Sequence, residues 1–207
     1  MSNETRQRLI RRGIELFSEF GSRGTGLDGL LRSSGVAKGS FYHFFGSKQA
    51  FTLEVIESYE AYFEERFSRI LEDRTLAPLE RLRNWMDEAC RGVARHGFRR
   101  GCLVGNLSQE LGPHEARIRV RLQAVFRRWE DWIFGVLEEA RSVGDLASDT
   151  DCRHLARVFW TGWQGAILRA KLEGDTRPMR DFGTFFLDVV AVRGPICFFG
   201  PVNVEPC

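Results

Sequence analysis

No apolar run in the 207 residues approaches the length of a bilayer span, and the opening stretch MSNETRQRLIRR lacks the apolar centre of a secretory leader. A cytoplasmic protein without a membrane partner is expected. Cysteine is sparse: five residues, at 90, 102, 152, 197 and 207, fall at irregular spacings. They form neither a disulfide framework nor a paired zinc spacing, so reduced thiols are expected. Cys152 and His154, taken with His96 or His114, match no metal-ligand set, and neither metal nor cofactor is expected. Catalytic patterns are missing as well, since there is no Ser-His-Asp order, no HExxH and no phosphate-cradling glycine loop. An enzyme is therefore not expected.

What is present is a chain with 43% hydrophobic and 28% charged residues, ordinary for a globular protein of this size. Charge is distributed unevenly: residues 1–48 hold eight Lys or Arg against four Asp or Glu, whereas the whole chain is only +2. A basic end on a near-neutral body is the footprint of a nucleic-acid contact. Helical periods run almost throughout. Leu9, Ile10, Gly13, Ile14, Phe17 and Phe20 mark a first helix that Gly21 ends, and Phe51, Val55, Ile56, Tyr59, Phe63, Phe67 and Ile70 mark a long one after Ser47. Further helices are predicted at about 79–96, 102–111, 117–143, 152–173 and 179–192, with no strands. In the 152–173 helix, Gly162, Gly165, Ala166 and Ala170 offer a small-residue surface for close approach. The two long late helices carry more apolar surface than one small body covers, which implies a second copy. The tail after residue 193, GPICFFGPVNVEPC, shows no period.

The stretch from Thr25 to Lys48 carries the functional reading. Thr25 and Asp28 have capping-box spacing at the start of a short helix striped by Leu27, Leu30 and Leu31. Ser34-Gly35 stops that helix, because glycine takes the left-handed conformation of a tight turn. Val36, Phe41, Phe44 and Phe45 anchor a second short helix and leave Lys38, Ser40, Tyr42 and His43 on another face. Two such helices joined by a glycine turn fit a helix-turn-helix. A helical adaptor would account for the body but not for this basic, glycine-turned front end.

The run GVAKGSFYHFFGSK, residues 35 to 48, resembles the DNA-binding signature of TetR-type bacterial transcriptional repressors. Two positions depart from it. Ala37 stands where Ser or Thr commonly caps the recognition helix, a loss of about 1 kcal/mol, and Phe44 stands where Tyr or His is usual. The resemblance implies an all-α protein: a three-helix DNA-binding domain over 1–48, a helical effector-binding and dimerisation domain over 49–193, and an irregular tail over 194–207. It also implies a homodimer that pairs through helices 117–143 and 152–173, presents two recognition helices to a palindromic double-stranded DNA operator, and releases it when a small-molecule effector arrives. Lys38, Gly39, Ser40, Tyr42 and His43 are then the groove contacts, and Thr25, Ser47 and Lys48 the phosphate clamps.

GFRRGCLVGNLSQELG and the later FWTGWQGAILRAKLEGD, with LAPLERLR, resemble a subgroup of these repressors that answers to small electrophilic or unsaturated compounds, acrylate among them. By that resemblance Cys102 is a candidate sensor, and Asn106, Gln109, Trp160, Trp163 and Lys171 are candidate effector contacts. Arg99, Arg100, Lys171 and a helix N-terminus are each expected to lower the Cys102 pKa. A reversible pocket and a covalently modified thiol both remain open. For Trp85, Trp129, Trp160 and Trp163, core or dimer interface is the commoner use of the residue type.

Overall fold

The helical periods become nine α-helices, with no strand, among residues 3–192, which are those the computed structural model describes. They are α1 (Asn3–Gly24), α2 (Leu27–Ser34), α3 (Lys38–Phe45), α4 (Lys48–Leu71), α5 (Pro78–Arg95), α6 (Leu103–Glu110), α7 (Ala116–Ser142), α8 (Cys152–Glu173) and α9 (Arg177–Val192). The expectations for the 194–207 tail lie outside the described residues. No helix among the described residues is long and apolar enough to cross a membrane.

Local chemistry explains most of the boundaries. Gly21 breaks α1 with φ +72°, and the chain makes one more turn before Gly24. Gly35 closes α2 in the left-handed region at φ +62°, as the turn requires. Ser47 caps α4 by accepting from the Ala50 N–H at 3.0 Å, whereas Ala37 begins α3 with no side-chain cap. The expected Thr25–Asp28 capping box does not form. Gly26 is the N-cap of α2, and the buried Thr25 hydroxyl instead donates to the Leu16 carbonyl at 3.3 Å. Packing beneath α1 takes the hydroxyl away from the helix start. Phe20, expected on the inward face of α1, is 51% exposed because it lies just before the break.

Leu9, Ile10 and Phe17 of α1, Leu30 and Leu31 of α2, and Phe41 and Phe45 of α3 form the core of the head. Phe51 from the first turn of α4 completes it, with ring centroids 5.2 Å from Phe41 and 4.9 Å from Phe45. Gly13 is required here, since a Cβ would come within 2.7 Å of Phe51 and 2.8 Å of Val55. The head core therefore runs past residue 48 into α4.

Further along, α4 enters a second core made with α5, α7, α8 and α9. Phe67 stacks on Trp85 at 4.7 Å and meets Trp132 at 4.4 Å, while Trp129 and Trp160 lie 4.8 Å apart. Such rings bury large areas and add directional contacts beyond area alone. Of the small residues of α8, Gly162 lies directly under the Phe182 ring of α9, while Gly165 faces open space. The end of α4 is tied down by the buried Arg81 of α5, which donates to the Leu71 carbonyl and pairs with Glu139 of α7. Burial pushes the Glu139 carboxyl up, but the hydrogen bonds from Arg81 and Arg74 outweigh it and hold the group below the usual carboxylate range. Replacing Arg81 with Met removes the donor to the Leu71 carbonyl, while Glu139 keeps Arg74. A loss of about 1–3 kcal/mol is expected, measured as a lower urea midpoint with an unchanged slope.

Candidate functional site

On α3 the 3.6-residue period sends Phe41 and Phe45 inward and leaves Lys38, Gly39, Tyr42 and His43 exposed, with Ser40 half-buried. Lys38 with Tyr42, and Gly39 with His43, are four-residue pairs and form one face. A shallow concavity between α2 and α3 also brings Arg32 beside Lys38. Sequence reasoning passed over Arg32, which reads there only as a solvated charge in the last turn of α2.

The three expected phosphate clamps are placed differently. Thr25 is buried and turned toward Leu16. Ser47 is exposed but uses its hydroxyl on Ala50. Lys48 is half-buried and donates through Nζ to the Ser22 carbonyl at 3.0 Å. Of the three, Lys48 is thus occupied in joining α4 to α1, while Thr25 holds the α1–α2 turn against α1.

In the body, a cavity of about 700 Å³ opens between α1, α4, α5 and α8. Tyr59, Phe63, Trp85, Trp129, Trp160 and Trp163 supply its aromatic wall, and Cys102 and Gln164 line it from the start of α6 and from α8. The rim is charged. Arg66 and Arg95 are both paired with Glu88, whereas Arg100 sits 3.8 Å from its nearest carboxylate, Glu15.

Cys102 is buried at the N-cap of α6. Its sulfur accepts from the Gly105 N–H and from Gln164 Nε2, each at 3.4 Å, and the Tyr59 hydroxyl, which accepts from the Leu103 N–H at 3.4 Å, lies close by. Burial pushes the thiol above its ordinary value, and the surrounding donors offset this only partly. The cations expected to lower it do not reach it: Arg99 pairs with Glu19, Arg100 stays on the cavity rim 3.8 Å from Glu15, and Lys171 Nζ donates to the Glu19 carbonyl at 2.7 Å. The lowered thiol pKa expected for Cys102 is therefore not supported by its surroundings.

Of the other expected effector contacts, Trp160 and Trp163 line the cavity, whereas Asn106, Gln109 and Lys171 do not. Gln109 is exposed, and Asn106 and Lys171 hold backbone carbonyls of α1. Tyr59, Gln164 and Arg100 take their places. Tyr59 was legible only as part of the apolar face of α4, and Gln164 only by its position beside Trp163.

Residues 9–55 match the family described as bacterial regulatory proteins, tetR family, and residues 78–186 match the tetracyclin repressor-like C-terminal domain. The chain belongs to the TetR family. Among TetR-family relatives, the transcriptional regulator AcuR of Cereibacter sphaeroides is 46% identical over 180 residues, spanning 87% of this chain and 82% of that one. The HTH-type transcriptional repressor DhaR of a Mycobacterium species is 31% identical, spanning 89% of this chain and 91% of that one. The crystal structure of a regulatory protein TetR from Rhodobacter sphaeroides superposes with a TM-score of 0.86 at 44% identity, covering 89% of this chain and 97% of that one.

The protein is thus a ligand-responsive DNA-binding transcriptional repressor of the TetR family and not an enzyme. The α3 face lies in the first matched segment, and the aromatic cavity draws on both segments and on the α4 residues between them. A thiol raised above its ordinary value of 9.0 is almost wholly protonated at neutral pH. Alkylation of Cys102 by iodoacetamide, followed by mass spectrometry, is therefore expected to be slow at pH 7 and still accelerating above pH 9. A rate that levels off below pH 8 would show an activated thiolate instead.

Proposed function

We propose that this repressor binds a near-palindromic operator as a two-fold dimer and releases it when a small unsaturated carboxylate such as acrylate occupies the aromatic cavity. The observation that carries the effector class is the pairing of an aromatic wall with Arg100, a rim cation whose nearest carboxylate is 3.8 Å away. Apolar walls take the body of the effector, and a guanidinium takes its carboxylate by a charge-assisted hydrogen bond. Burial of Cys102 as a neutral thiol favours reversible occupancy over covalent modification.

The dimer face is supported by apolar side chains left in solvent. Val158, Leu168 and Leu172 fall within one stripe of α8 and Phe185 lies on α9, all exposed. This points to α8 and α9 as the pairing helices, in place of the 117–143 and 152–173 pair expected from the resemblance, because the apolar residues of α7 are largely spent inside the body. A two-fold dimer sets two α3 helices on successive major-groove faces about 34 Å apart, in the cytoplasm where such an operator is found. Lys38, Gly39, Ser40, Tyr42 and His43 read the groove, with Ser47 at the α4 N-terminus and Arg32 near phosphates. An effector seated against Tyr59, Phe63 and Trp85 displaces α4, and a coupling of about 1–3 kcal/mol changes operator affinity accordingly.

Acrylate titrated against the intrinsic tryptophan fluorescence, beside a gel shift on the upstream DNA, tests the effector. Arg100→Gln is expected to weaken acrylate binding about tenfold, or 1.4 kcal/mol; an unchanged affinity removes Arg100 as the anchor. On the DNA side, Lys38→Ala is expected to reduce the salt slope of operator binding by about 1. Lys48→Ala is expected to leave it unchanged, since that ammonium is bound to Ser22. Equal effects from the two variants would return Lys48 to the phosphate contacts.

A further inference from the structure

The break in α1 exposes backbone groups on both sides, and the segment from Gly101 to Glu110 meets them. Before the break, Asn106 Nδ2 donates to the Phe17 and Ser18 carbonyls, both at 3.0 Å, and the Gly101 N–H donates to Ser18 at 3.0 Å. After the break, the Glu110 carboxylate accepts from the Ser22 and Arg23 N–H groups at 2.8 and 3.1 Å. Asn106 and Glu110 are one turn apart on α6 and so project from the same face. Gly21 makes room for this, because a Cβ there would fall 1.6 Å from Glu110 Oε1. The same short helix begins at Cys102, in the cavity wall. None of these groups lies on the α3 face.

We infer that Asn106 and Glu110 are positioning residues for operator binding: through them α6 grips both sides of the α1 break and sets where the head stands relative to the cavity. The inference rests on the operator reading above and adds a route that does not pass along α4. Helix α6 is only eight residues long and is held at its start by the sulfur, Gly105 and Gln164. An occupant pressing on Cys102 and Gln164 displaces the whole rigid helix. Because the α6 contacts fall on backbone atoms at a helix break, that displacement is handed to α1 directly, beside whatever passes through the buried Leu103, Val104 and Leu107.

The test compares the full chain with Glu110→Ala, Glu110→Gln and Asn106→Asp. Operator affinity is read by fluorescence anisotropy on the upstream DNA, and backbone exchange over residues 20–25 by hydrogen–deuterium exchange mass spectrometry. Glu110→Ala is expected to weaken operator binding about tenfold and to speed exchange over 20–25. Glu110→Gln, whose amide oxygen still accepts, recovers most of both. Asn106→Asp sets a carboxylate against two carbonyls and weakens binding without touching DNA. Wild-type operator affinity in Glu110→Ala, or unchanged exchange over 20–25, overturns the grip. Should the Ala variant not fold, wild-type affinity in both Glu110→Gln and Asn106→Asp does so. In the wild type, acrylate is expected to speed exchange over 20–25 as it releases DNA, and release without that change overturns the route. A chain that binds DNA but ignores acrylate counts against the effector class, leaving the variant comparison to judge the grip.

Discussion

Phe51 and Val55 pack under α1 and α3, while Phe63 and Phe67, about three turns further along the same helix, stand against Trp85, Trp129 and Trp132. Helix α4 therefore cannot shift in one core without shifting in the other. Close-packed interiors transmit displacement because they have few voids to absorb it. Polar contacts extend the constraint along the helix: the buried Glu60 pairs with Arg121 of α7, Gln49 donates to Glu115 just before α7, and Arg81 holds the final carbonyl. The head is thus mechanically part of the body even though it has a core of its own.

The cavity lies where these constraints converge. Its wall includes Tyr59 and Phe63 of α4, Trp85 of α5, Trp160 and Trp163 of α8, and the residue that starts α6. A molecule inside it touches both structures that hold the head, the long helix through its aromatic face and the short one through Cys102. The deep wall is apolar and the rim is charged, an arrangement suited to a ligand with one ionic end.

Cys102 illustrates how burial decides chemistry. Residue type and neighbours describe an activated thiol: two arginines before it, a lysine to come and a helix N-terminus. In the fold, Arg99 pairs with Glu19, Arg100 stays on the cavity rim beside Glu15 and the ammonium turns to the Glu19 carbonyl, while the sulfur is buried in the cavity wall beside Tyr59 and Gln164. Desolvation then outweighs the donors and the thiol stays protonated. Lys171 and Asn106, legible as polar anchors for a ligand, are engaged by the end of α1.

The helices, their caps and the reading face were legible because their causes are local. Apolar residues at three and four set the inward faces, Gly35 and Ser47 set ends, and Lys38, Tyr42 and His43 remain outside because Phe41 and Phe45 must go in. Periodicity could not tell which polar side chain meets which distant backbone group. Thr25 has the spacing of a cap and lies buried; Lys48 has the place of a phosphate clamp and reaches Ser22; nothing local marks Glu110, which holds two amides 87 and 88 residues away. By itself the sequence determined the helical alternation, the glycine-hinged pair and the basic front. Only the tertiary structure decided the partners of the polar groups and the place of the cavity, because hydrogen bonds between distant elements depend on where helices cross, which no single helix's pattern contains.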